Sequence, residues 1–297
     1  MRHTPQAGGE AAARLRGVGL YCISMMCFTG LDTLAKLVSH SVPVVEIVWV
    51  RFLGQTIFVI LLLRPWRSLD AFRMASPLSQ IIRAVALFLS TTFNFFALRS
   101  LQMDQTATIG FSSAFIVAGL AGPVLGEWIG WRRWLAILVG FVGVLIVIRP
   151  EAGSFDPALL WSVAATLCYS VYNLLTRKLT ATDSAASLLL YSGLVPALFL
   201  APIALPIAVW PPSLWIGAAI LGTAAFGAVG HAIIIQAFRR APASLLAPFT
   251  YSQIIWMPAA GFLVFGDVPG GHTLIGAAII VASGLYILYR ERVHGDH

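Results

Sequence analysis

Charge is what this sequence has least of. Asp, Glu, Lys and Arg together make up 10% of its 297 residues, against 59% hydrophobic residues. A soluble domain of this length carries about 25% charged residues. The deficit excludes an ordinary soluble fold and leaves a chain whose length serves to cross a bilayer repeatedly. Cysteine is nearly as scarce. Cys22, Cys27 and Cys168 all lie inside apolar runs, without metal-ligand spacing, and read as packing residues, not as a disulfide framework or a metal centre. Walker motifs are missing, which excludes ATP hydrolysis by this chain. His-x-x-x-Asp and Cys-His arrangements are missing too, so the chain is not read as an enzyme, and no cofactor is expected. The first sixteen residues are polar and lack the apolar core of a signal peptide, so residues 1–16 read as a tail and Gly17 as the start of a span. The formal charge of +7 does not point to nucleic acid, because the basic residues fall one to three at a time between apolar runs.

What is there is a series of apolar runs of roughly 20 residues. The pattern predicts ten transmembrane helices near Gly17–Val38, Pro43–Leu63, Ser79–Leu98, Gln105–Leu125, Trp131–Ile148, Pro157–Thr176, Ser184–Val209, Leu214–Phe238, Ser244–Phe265 and His272–Tyr289. With both termini on one side, and leaving aside Lys36, Arg51 and Arg83 within or at the ends of spans, that side holds Arg2, Arg14, Arg16, Arg64, Arg67, Arg73, Arg132, Arg133, Arg177, Lys178, Arg239, Arg240, Arg290 and Arg292, and the other Arg99 and Arg149. The positive-inside rule then puts both termini in the cytoplasm and the chain in the cell (inner) membrane.

The two halves resemble each other. "ALRSLQMDQTATIGFSSAF", residues 97–115, matches "AFRRAPASLLAPFTYSQII", residues 237–255, at a shift of 140 positions, and the same shift lays "VLGEWIG" (124–130) on "VFGDVPG" (264–270). Two five-helix repeats follow, over 17–149 and 156–290. An odd number of crossings makes the second enter the membrane upside down. Inverted repeats are a common plan of secondary transporters, with the site near the midplane where the repeats meet.

"PVVEIVWVRF" (43–52), "GFSSAFIVAGLAGPVLGEWIGWRRWLAILVGFVGVLIVIRP" (110–150) and "GHAIIIQAFRRAPASLLAPFTYSQIIW" (230–256) resemble the EamA branch of the drug/metabolite transporter superfamily. The resemblance covers nearly the whole chain. It implies a small-molecule carrier in which spans 1, 3 and 4 and their mates 6, 8 and 9 line a central cavity. Its members carry amino acids and derivatives, nucleotide-sugars, sugar phosphates, S-adenosylmethionine and drugs. Export or exchange of a small zwitterion such as an amino acid is the first expectation, by alternating access. Uptake of a larger adenosyl or nucleotide-like metabolite is the second. The expected partners are that small molecule and the lipid bilayer, with the protein as a monomer.

An ionisable group in a span costs about 2.5–3.5 kcal/mol on insertion scales and normally faces the bundle interior. Asp32 and Lys36 stand four apart on one helical face and can pair, as a mouth-closing or substrate-meeting couple. Arg83, at the inner end of span 3, reads as facing water and head groups or as attracting an anion at the inner mouth. Arg51 is expected to pair with Glu46 or Asp32 and hold helices together, since span 2 is not expected to line the cavity. Asn94 lies at the depth of Asp32 and is expected to bond it. The expected substrate site gathers Ser113 and its neighbours, their repeat mates Tyr251 and Gln253, Tyr169 and Asn173 from span 6, and His231 from span 8, with Pro248 freeing a backbone carbonyl nearby. Glu127 and Asp267 read as helix-end caps or hinges.

Overall fold

The computed structural model describes residues 7–63, 69–126, 130–148 and 156–294; helices joined by short turns and loops make up these segments, with no strand among them. Helices α1 (Ala7–Val38), α2 (Val44–Leu63) and α3 (Pro77–Ser100) are followed by a broken span, α4 (Met103–Gly110) and α5 (Ser113–Leu125), and by α6 (Trp131–Ile148). The second half runs α7 (Ala158–Leu179), α8 (Ala185–Ala204) and α9 (Leu214–Phe238), then the broken span α10 (Ala243–Leu246) and α11 (Gln253–Ala260), then α12 (Gly271–His294). Among the described residues, seven segments are long and apolar enough to cross a membrane by length and composition, and shorter apolar helices accompany them. In hydrocarbon every backbone polar group must be satisfied within the chain, which is why a polytopic sequence of this kind is all helix. Ser184 and Ser213 start α8 and α9, accepting from the backbone N–H of Ser187 and Ile216 at 3.0 and 3.3 Å.

The packing has the symmetry of the sequence. The most extensive contacts are α1 on α9 and α3 on α7, which are repeat mates of each other, together with α6 on α12 and α2 on α8, each pairing an element with its own mate. The only two positive-φ glycines among the described residues, Gly126 (φ 77°) and Gly266 (φ 73°), are separated by 266 − 126 = 140 positions. Each ends a broken span in the left-handed conformation that glycine reaches without a Cβ penalty.

The breaks also correspond. At 109–115 the ladder tightens to i→i−3 bonds, Ser112 N–H to Ile109 at 3.0 Å and Phe115 N–H to Ser112 at 3.0 Å. The hydroxyl of Ser112 adds a bond to the Ile109 carbonyl at 2.7 Å. In the mate, Ala247–Ser252 is a 3-10 turn that begins beside a proline lacking the N–H for an α-helical bond. Pro258 then precedes a π-turn over Gly261–Phe265. The sequence pattern predicts both spans as single helices; each is interrupted near its middle. The first helix begins at Ala7, ten residues before the predicted start.

Candidate functional site

Between the halves lies a cavity whose empty space, open solvent included, is about 770 Å³. It is walled by α1, α3 and α4 from one half and by α7, α9 and the 247–260 region from the other, with a single residue of α2. Of the residues singled out from the sequence, Asp32, Arg51, Asn94, Tyr169, His231 and Gln253 line it. Phe28 and Phe95 give it aromatic faces, and Thr91, Thr106, Thr166 and Thr250 supply hydroxyls.

Asp32 is 8% exposed, and its Oδ1 accepts from Asn94 Nδ2 at 2.9 Å, the bond expected from their common depth. It does not pair with Lys36. The Lys36 ammonium instead donates to Asp267 Oδ2 at 2.9 Å and to the Leu101 carbonyl at 3.1 Å, and lies 4.7 Å from the centre of the Phe265 ring. The expected Asp32–Lys36 couple is thus corrected: helix spacing allows it, but a carboxylate 231 residues away reaches the ammonium first. Asp267 is therefore an ion-pair partner between the halves and not only a helix-end cap. Glu127, its repeat mate, lies outside the described residues.

Arg83 is corrected as well. It does not face water or head groups but is fully buried, donating to Gln80 Oε1 at 3.0 Å, Thr176 Oγ1 at 3.3 Å and the Leu188 carbonyl at 2.5 Å. It ties α3, α7 and α8 together. Ser113 and Asn173 are buried outside the lining, as is Tyr251, whose ring stands edge-on to Phe111 with centroids 5.4 Å apart. The side chain of Pro248 lies outside the described residues.

Arg51 is the residue that sequence reasoning placed wrongly. Neither Glu46 nor Asp32 pairs with it; Glu46 accepts instead from the Val209 N–H at 2.9 Å. The guanidinium lines the cavity, 2% exposed, with Nη2 3.0 Å from His231 Nε2. A guanidinium only donates, so Nε2 accepts and the neutral imidazole carries its proton on Nδ1, where it donates to the Tyr172 hydroxyl at 3.0 Å. The signal was present: a lone arginine within an apolar span is by default turned inward.

Two ties fasten α1 to the second half. Lys36–Asp267 joins its C-terminal end to the region after α11, and the Tyr21 and Thr250 hydroxyls, 3.1 Å apart, join its middle to the 3-10 turn. The two ties are ~22 Å apart along the helix at 1.5 Å per residue. A polar and aromatic chamber between two half-bundles can hold a small organic molecule.

The EamA-like transporter family model matches residues 15–149 and again 156–289, and the chain belongs to that family. It is 27% identical to the S-adenosylmethionine uptake transporter of Rickettsia bellii over 93% of this chain and 94% of that one. It is 23% identical to the pseudopaline exporter CntI of Pseudomonas aeruginosa over 90% and 94%. A riboflavin transporter of Vibrio cholerae is 35% identical over 58% of this chain and 57% of its own. A solved crystal structure superposes with a TM-score of 0.70 over 96% of this chain and 99% of the other, at 18% identity, and supports the fold. The protein is a multi-pass membrane transporter of small metabolites.

Proposed function

We propose that this transporter is a secondary carrier that takes up a zwitterionic, adenosyl-bearing amino acid of the S-adenosylmethionine class, with both termini in the cytoplasm and the cavity as its site. The observation that carries the reading is the buried Asp32 carboxylate inside a chamber with aromatic walls. An ammonium or sulfonium group is attracted both by the acid and by the faces of Phe28 and Tyr169. Hydroxyl and amide groups from several helices suit the ribose and base of a larger body. Relatives matched over more than nine-tenths of their length are named for this substrate. A second reading, export of a smaller amino-acid derivative, draws support from the exporter relative, which is covered to the same extent.

Proteoliposomes loaded with unlabelled S-adenosylmethionine test the first reading. Labelled S-adenosylmethionine should accumulate by exchange, and excess unlabelled compound should suppress the signal more than methionine, adenosine or riboflavin. No accumulation, with labelled methionine exchanging instead, would favour the second reading. In cells, single cysteines after Ser39 should label from outside while those near Thr180 should not; the reverse would overturn the orientation.

A further inference from the structure

Arg51 is a buried cation left half-used. Its Nη2 meets His231, but Nε and Nη1 are both buried without a hydrogen-bond partner, and no ion pair joins the residue to a carboxylate among the described residues. Buried polar groups are paired as a rule, and a buried charge without a counter-charge is the costlier exception. Asp32 lines the same cavity and makes no ion pair with Arg51.

The geometry of a guanidinium adds a further point. Nη2 carries two hydrogens, one on the edge shared with Nε and one on the edge shared with Nη1. The acceptor on His231 uses one of them. Whichever it uses, the other edge keeps two parallel N–H donors, the fork that matches a carboxylate. The fork is held in place from α9. A Cβ on Gly227 would stand 3.3 Å from Arg51 Nε and 3.4 Å from Nη2, so glycine lets the guanidinium lie close against that helix. His231, four residues on, takes the bond, and Tyr172 fixes the imidazole from the other side.

We propose that Arg51 binds the carboxylate of the transported zwitterion, and that His231 and Tyr172 are positioning residues that aim its free edge into the cavity. This rests on the substrate class proposed above and assigns its charged groups: the ammonium toward Asp32 on α1, the carboxylate toward Arg51 on α2. Substrate then completes a charge pattern that the empty protein leaves open. Specificity follows, because an analogue without the carboxylate leaves the fork unpaired.

Titration calorimetry of the purified transporter with S-adenosylmethionine and with its decarboxylated analogue tests the assignment. The wild type should bind the carboxylate-bearing compound about 10- to 100-fold more tightly, the range for a charged hydrogen-bonded contact. Arg51→Met and Arg51→Lys should bring S-adenosylmethionine down to the affinity of the analogue and leave the analogue unchanged. The lysine variant keeps the charge and lacks the fork, and it decides the matter if the methionine variant does not give a monodisperse protein. His231→Gln, which retains an acceptor, should preserve the discrimination, and His231→Leu should lose it; a merely structural histidine would not separate the two. A wild type that binds both compounds alike, or a folded Arg51→Lys protein that still discriminates, overturns the assignment while leaving the substrate class standing. A wild type that binds neither compound overturns both.

Discussion

Two arginines sit buried within the membrane-spanning helices of this protein, each in a different condition. Arg83 spends its donors on Gln80, Thr176 and Leu188, and the helices around it are bound together by them. Arg51, equally buried, makes one bond and keeps two nitrogens idle beside a cavity. Burial alone therefore does not separate a structural charge from a functional one. Saturation of its hydrogen bonds does: a saturated guanidinium has nothing left to offer a ligand, and an unsaturated one carries a cost that binding can relieve.

Breaking the saturated residue should have the largest effect. Arg83→Met strands the Gln80 acceptor and should destabilise the protein by about 1–3 kcal/mol, seen as a lower melting temperature in detergent. Arg51→Met under the same measurement should melt at or above the wild type. If Arg51→Met falls as far as Arg83→Met, the contrast between the two residues is unfounded. An intermediate effect is expected at the Lys36–Asp267 tie. Lys36→Met and Asp267→Asn should each lower transport, and a double-mutant cycle should show a coupling of about 0.5–3 kcal/mol, since the two are in contact and mostly shielded from water. Additive losses would show that the ion pair does not act as a unit. The smallest effect is expected from Tyr251→Phe. That hydroxyl is buried without a partner and outside the cavity lining, so its removal should change substrate affinity less than twofold. A tenfold loss would bring Tyr251 into the site after all.

How much of this was legible in the sequence depended on whether the relevant neighbour was near in the chain. The 140-residue repeat predicted the symmetry of the packing, and glycines 126 and 266 stand at matching stops because the same loop problem is solved twice. Asn94 and Asp32 could be joined from helix depth alone, since both lie on regular helices. Lys36 could not be given its partner, because i to i+4 arithmetic sees one helix and Asp267 belongs to another half. Ser113 and Tyr251 lay at a sensible depth but outside the cavity wall. Depth does not fix the face, and a 3-10 turn advances ~120° per residue against ~100° for an α-helix, so six residues of it rotate the face by roughly 120°. Arg51 was legible as an inward-turned charge but was discounted because its helix was not expected to contribute to the cavity.

The edge-on contact of Phe111 with Tyr251 has a consequence of its own. The two residues are each other's mates in the repeat, 251 − 111 = 140 positions apart, and they touch. A pair of mates in contact lies on the axis that exchanges the halves. An operation that swaps the conformations of the halves carries such a contact onto itself, whereas it carries the Lys36–Asp267 tie to the opposite end of the molecule. The aromatic pair therefore has the position of a fulcrum: exchange of the halves maps it onto itself and maps the groups far from it onto one another's places.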